Sequence, residues 1–255
     1  MRTLSRAVGA LVLVLAGLTA GLAPASAASP YTSTIEVESP SITLGQKVQI
    51  AGRVTGGPVK GTSVNLFSRN GSGAWKSLGS AKLDSTGRWN KMVKPTKGGP
   101  TQFRAIKPAG SGHGQGTGYL AEPLNVFKWK NLSTYRDSTT THYGDATVNG
   151  QSYDSALLLD GDGGSDFTTS NGRCKQLKGS VGLIDASTST NGTLYASDGF
   201  FAFLFSLGAF EDRDVVAFTA TMDPAKALSL FASFDSPSMS DALAVVGAQV
   251  LCNQN

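Results

Sequence analysis

Apolar and polar positions alternate in short runs along most of this chain, the two-residue period of strands that bury one face. In "STIEVES" (33–39), Ile35 and Val37 face one way and Glu36 and Glu38 the other. In "KVQIAGRV" (47–54), Val48, Ile50 and Val54 face inward and Lys47, Gln49 and Arg53 outward. The runs "TSVNLFSR", "AWKSLGSAKL", "GRWNKMVK", "TQFRAIKP" and "YLAEPLNVF" follow, with "NGSG", "DSTG", "PTKGGP" and "GSGHGQGTG" between several of them. About seven short strands with regular turn signals predict a β-sandwich over residues 31–127.

The same texture continues to the C-terminus. "GDATVNGQSYDSALLL" predicts a hairpin turning at Asn149-Gly150. "CKQLKGSVGLID", "GTLYASDG", "FFAFLFS", "RDVVAFTA", "KALSLFAS" and "AQVLC" read as further strands, with "STSTNG" and "LGAFED" as turns. The run "FFAFLFS" sets Phe201, Phe203 and Phe205 on one face and Phe200 and Leu204 on the other; a strand apolar on both faces is expected at the centre of a sheet. Only "MSDALAVVG" has the makings of a helical turn. Long segments of 3.6-residue period are nearly absent, so the expected class is all-β.

Residues 1–27 follow different rules. Arg2 and Arg6 precede an apolar run from Val8 to about Leu22, which ends at Ala25-Ser26-Ala27. This is the pattern of a secretory signal peptide with a small-residue cleavage site, and it predicts a secreted, extracellular product of 228 of the 255 residues. No later apolar stretch is long enough to span a bilayer, so no transmembrane segment is expected in the mature chain.

Charge divides the remainder. Residues 31–127 carry twelve Lys and Arg against four Asp and Glu, a net +8; residues 128–255 carry eight against fourteen, a net −6. An asymmetry of this size argues for two folding units, 31–127 and 128–255. The basic residues of the first unit, Arg69, Lys76, Arg88 and Arg104 among them, are spread along its strands, and some must share a face.

The chain has two cysteines, Cys174 and Cys252. Outside the cytosol two cysteines usually pair. The bridge would close a loop of roughly 79 residues, which the chain-entropy treatment values at about 4 kcal/mol. Two buried free thiols are the alternative.

Two resemblances refine the fold. An apolar strand, the hairpin "GAWKSLGSAKLDSTGRW" and the strand "FRAI" resemble the immunoglobulin-like modules of bacterial secreted and surface proteins; the Cys…Trp…Cys framework of antibody domains is missing. In the second unit, Trp129 and Leu132, then "YGDATVNGQSYDSALLL", "GRCKQLKGSVGLID", "SDGF" and a terminal "VLC" resemble the NPCBM carbohydrate-binding modules of actinobacterial secreted proteins. That resemblance covers residues 129–253 and implies a galactose-binding-like jelly-roll β-sandwich. In it, Cys174 starts a core strand and Cys252 ends the last strand, fastening the C-terminal edge.

Candidate chemistry is sparse. The chain lacks H-E-x-x-H, G-x-S-x-G, C-x-x-C and P-loop patterns, and no catalytic residues are expected. His113 lies in "GSGHGQGTG", whose alternating glycines read as a mobile loop, and His142 in a polar connection. Asp160, Asp162 and Asp166 in "LDGDGGSD" supply hard oxygen ligands between turn-forming glycines and are the candidates for calcium, with no other cofactor expected; a solvated turn uses the same residues.

Sugar sites combine an aromatic face with planar polar side chains. Tyr143, Tyr153 and Tyr195 are the candidate ligand-binding aromatics; Trp129 is expected to pack. The expectation is therefore a secreted, non-catalytic binding protein that recognises cell-wall or extracellular glycan, with nucleic acid not among its partners. The alternative is a structural or protein-interaction module of the cell envelope without a sugar site, its basic first unit contacting anionic envelope polymers.

Overall fold

The structure, a computed structural model, describes residues 29–137, 142–160, 164–197, 203–211 (backbone only), 215–235 and 240–254. The signal segment 1–27, Asp162, Phe200 and Phe201 lie outside the described residues. The described chain is all-β, built from antiparallel sheets with two short 3₁₀ turns, Leu132–Tyr135 and Thr169–Gly172. Among the described residues no helix is long and apolar enough to cross a membrane.

Ten strands come first: β1 (Thr32–Ser33), β2 (Glu36–Val37), β3 (Ser41–Thr43), β4 (Val48–Thr55), β5 (Ser63–Asn70), β6 (Lys76–Lys82), β7 (Arg88–Val93), β8 (Gly99–Lys107), β9 (Gly116–Tyr119) and β10 (Leu124–Asn131). Nine follow: β11 (His142–Val148), β12 (Gln151–Asp160), β13 (Gly164–Phe167), β14 (Cys174–Leu183), β15 (Asn191–Ser197), β16 (Phe203–Glu211), β17 (Val216–Thr221), β18 (Leu228–Phe234) and β19 (Ala242–Cys252).

Strand β4 carries β1 and β2 on one side and β7 on the other. This small sheet faces a second one in which β6, β5, β8 and β10 pair in that order, with β9 on β8 and β3 parallel to β10. The alternating positions decide what lies between them: Val48, Ile50 and Val54 from β4 meet Val64 and Leu66 from β5 and Phe103 and Ala105 from β8, all buried.

Residues after 131 repeat the plan. One sheet holds β11, β12, β19, β14 and β17; the other runs β13, β18, β15, β16. Leu157, Leu159, Leu177, Val181 and Val250 from the first pack against Phe167, Leu194, Leu228 and Leu230 from the second. The two main cores share no residue. Strand β10 runs between them: Leu124–Val126 pair with β8 while Lys128–Asn131 pair with β19.

Several local expectations correspond to the structure. Asn149 (φ 50°) and Gly150 (φ 73°) form the turn between β11 and β12, both in the left-handed region that a type I′ hairpin requires. Cys174 and Cys252 are disulfide-bonded across paired strands, β14 and β19, with a sequence separation of 78.

Five expectations change. The bridge does not fasten an edge: β19 pairs with β10, β12 and β14, so the last strand is the centre of its sheet. "MSDALAVVG" forms no helical turn, because Ala242–Val246 begin β19 and all but half-buried Val246 are buried, which a strand between two partners on both faces demands. "LGAF" is not a turn but continues β16, and the strand expected from "FFAFLFS" at a sheet centre is instead at the end of its sheet, where among the described residues β16 pairs with β15 alone. The glycines of "GQGTG" do not make a mobile loop. Gly116 and Gly118 lie in β9, where an added Cβ would stand 2.3 Å from the Tyr31 and Ser33 carbonyl oxygens respectively, so the alternation lets two backbones meet at the sandwich corner. His113 is tied there too, its Nδ1 3.2 Å from the Ser29 carbonyl and its ring 5.1 Å from Tyr31.

A buried carboxylate closes the second sandwich. Asp241, fully buried, accepts hydrogen bonds from Ser187 Oγ (2.9 Å), the Thr188 amide (2.6 Å), the Ser189 amide (3.0 Å) and Ser189 Oγ (2.7 Å). Burial alone would raise its pKa; the donors on Ser189, Ser187 and Thr188 more than reverse this and hold it well below the carboxylate range. A folded pKa below the unfolded value stabilises the fold above the unfolded pKa and ceases to do so as pH falls through the folded one. The urea midpoint should therefore fall as pH drops below the ordinary Asp value of about 3.9. Asp241→Asn, which turns an amide N–H toward these donors, should lower the midpoint at neutral pH and flatten that acid limb; an unchanged acid limb would refute the assignment.

Candidate functional site

Two strand irregularities shape a cleft of about 440 Å³ beside the middle of β19, where its pairing passes from β12 to β10. The pairing of β11 with β12 shifts register between Gly144 and Ala146, opposite Ser155, which sits at φ 58° with its amide 3.4 Å from Asp145 Oδ1. The pairing of β14 with β19 shifts between Lys178 and Ser180, opposite Gly247 at φ 61°. A bulge re-aims side chains and bends its strand. Here both bulges back onto one hollow, floored by Val245, Gly247 and Ala248.

The walls are polar and planar. Asn131, the last residue of β10, lies directly across from Gln249 of β19, and Gln249 in turn across from Lys178 of β14. Arg136 follows the first 3₁₀ turn, and Asp154 precedes the strained Ser155; both line the cleft. Tyr143, from β11, packs its ring against the main core and lines the same cleft. Its hydroxyl is buried and has no hydrogen-bond partner among the described residues. Burial pushes its pKa up to about 12, with Arg136 pulling weakly the other way, so the phenol stays neutral and keeps its proton at physiological pH. An orphaned hydroxyl of this kind costs stability until a ligand or water satisfies it.

This arrangement can present an aromatic edge, an amide pair, a guanidinium and a carboxylate to one small polar molecule. Those are the donors and acceptors that fix vicinal hydroxyls. The three candidate tyrosines do not meet. Tyr153, on β12, packs beside a small satellite cluster of Ala146, Val148, Ala156 and Ala244. Tyr195, on β15, is in the opposite sheet, across from Phe231. Trp129 is half-buried, with Lys178 Nζ 4.2 Å from its ring centre. Of the calcium candidates, Asp160 is exposed at the end of β12, and Asp166, in β13, accepts a hydrogen bond from Ser229 Oγ; Asp162 lies outside the described residues. No cluster of three or more His, Cys, Asp or Glu side chains able to hold a metal occurs among the described residues.

A larger hollow, about 710 Å³, opens on the outer face of β2, β4 and β7. Part of its polar lining is tied up within the sheet, although Trp89 Nε1 is buried without a hydrogen-bond partner among the described residues. Asp84 Oδ1 accepts from the Thr86 and Arg88 amides, Arg53 Nε donates to the Thr86 carbonyl, and Trp89 lays its ring over Gly52 as part of the core. The smaller cleft, which gathers an amide pair, a guanidinium and a carboxylate beside the Tyr143 ring, is the better candidate.

Asn131, Arg136, Asp154 and Gln249 were not legible as site residues. Each is an ordinary surface residue in its own segment, and only the pairing of β10 with β19 and the two bulges bring them together. Neither a protein-family model nor a curated protein matches this chain.

Proposed function

We propose that this chain is a secreted, non-catalytic binding protein that recognises extracellular or cell-wall carbohydrate through the Tyr143 cleft. In this reading residues 31–127 form an immunoglobulin-like sandwich and residues 128–255 a galactose-binding-like jelly roll of the NPCBM kind. The leader segment and the Cys174–Cys252 bridge support export. The observation that carries the reading is the neutral, buried and unpartnered Tyr143 hydroxyl in a cleft walled by Asn131, Arg136, Asp154 and Gln249.

Tyr143→Phe separates binding from folding. Removing an unsatisfied buried hydroxyl should leave the melting temperature unchanged or raise it. The same change should weaken binding to any glycan selected from an array by roughly tenfold, the value of one lost buried hydrogen bond. Gln249→Ala and Asn131→Ala should weaken the same glycan in parallel. Unaltered glycan affinity in all three variants would remove the cleft from consideration, and an array with no binder would favour the structural module instead.

A further inference from the structure

The outer face of the first sandwich carries a second constellation, remote in sequence from the cleft residues. Strand register places Phe67 of β5 across from Arg104 of β8, and Arg104 across from Tyr119 of β9, so these three form one row on the sheet. Arg69, two residues beyond Phe67, projects from the same face. Trp75, just before β6, folds back over the row. The Arg104 guanidinium carbon is 4.7 Å from the Phe67 ring centre and 4.5 Å from that of Trp75, and that of Arg69 is 4.7 Å from Trp75. Tyr119 completes the patch, 6.1 Å from Trp75 at 53° between the rings and 58% exposed.

Ring contacts on Arg69 and Arg104 orient the two guanidinium groups side by side, and the planar fork of an arginine suits a planar anion. The charges are also uncompensated. Among the described residues neither arginine has a carboxylate partner, and the Nε atom of each is buried without a hydrogen bond. Two like charges packed on one indole repel each other, and they do so in a unit of net +8. An anion seated across both would relieve the repulsion and supply the missing acceptors.

We propose that this face is a binding site for an anionic polysaccharide. Its acid groups would sit in the Arg69 and Arg104 forks and a sugar ring would lie on Tyr119. The site stands independently of the Tyr143 cleft, since the two share no residue. A nucleic acid fits less well: Tyr119 is the one exposed ring of the patch, so a run of bases finds no second platform, and the leader segment directs the chain out of the cell.

Titration of the protein with polygalacturonate, neutral dextran, inorganic polyphosphate and oligodeoxythymidylate tests the proposal. Polygalacturonate should bind and dextran should not. Arg104→Lys keeps the charge but loses the planar stacked fork, and should weaken polygalacturonate roughly tenfold. Tyr119→Ala, at an exposed position that leaves the fold intact, should weaken it severalfold. Lys60→Gln, which removes one charge from an exposed turn of the same unit, should change affinity by less than about twofold. Equal losses for Lys60→Gln and Arg104→Lys would show diffuse charge and overturn the site. Tighter binding of the oligonucleotide, or binding of polyphosphate with none of polygalacturonate, would overturn the carbohydrate assignment.

Discussion

Replacing both Cys174 and Cys252 by alanine should destabilise the protein by about 4 kcal/mol. The bridge closes a separation of 78 residues, and most of its effect lies in the unfolded chain, which loses the freedom to separate those ends. The folded state has its own stake. Both cysteines are fully buried in the main core of the second sandwich, Cys252 stands across from Lys128 of β10, and an added Cβ on Gly172 would come within 2.9 Å of the Cys174 sulfur. Alanine leaves no buried hydroxyl behind, so the loss measures the link and a small cavity. Urea unfolding of the oxidised protein and the double variant should separate their midpoints with similar slopes. Burial also shields the bond: dithiothreitol should leave it intact until the second sandwich opens. A loss under about 1 kcal/mol would mean that the unfolded chain already holds those ends together.

Leu177→Ala should cost about 2–5 kcal/mol. Leu177 is fully buried in β14, between Val250 of β19 and Ala220 of β17, at the middle of the second core. Leu66→Ala, fully buried in β5 between Ala105 and Gly79, should cost a similar amount in the first core. What separates the two variants is where the damage goes. The main cores share no buried residue, so amide exchange in Leu177→Ala should quicken from Leu132, in the first 3₁₀ turn, onward and stay slow in β4, β5 and β7, with the reverse in Leu66→Ala. Equal quickening in both halves would show that β10, paired with β8 at one end and β19 at the other, joins them into one cooperative unit.

The residues behind these two predictions differ in how far the sequence announced them. Alternation in "KVQIAGRV" marked Val48, Ile50 and Val54, and each is buried, because strand faces are set by neighbours two residues away. The Asn149-Gly150 turn was legible for the same reason, since a two-residue turn is specified by its own φ angles. The alternating glycines 116 and 118 are not legible in this way, because their cause is not local: they make room for the carbonyls of Tyr31 and Ser33, which come from a segment far back in the chain. The aromatic candidates were chosen by residue type alone, so of three tyrosines one lines the cleft and the others lie on different faces or sheets. The role of Trp75 is not legible in the sequence, because nothing in its own hairpin shows that Arg69 and Arg104 fold beneath it.

Read alone, the chain determined its all-β class, the inward face of its clearest strands, its hairpin turn and the charge contrast between its halves. Each of these follows from short-range alternation or from counting. Tertiary structure decided that the last strand is a sheet centre, that Asn131 meets Gln249, and that two bulges open a cleft beside Tyr143. The physical reason is that strand pairing joins residues far apart in the chain. Its register is chosen by the burial of whole faces, a sum over both sheets that no single segment carries.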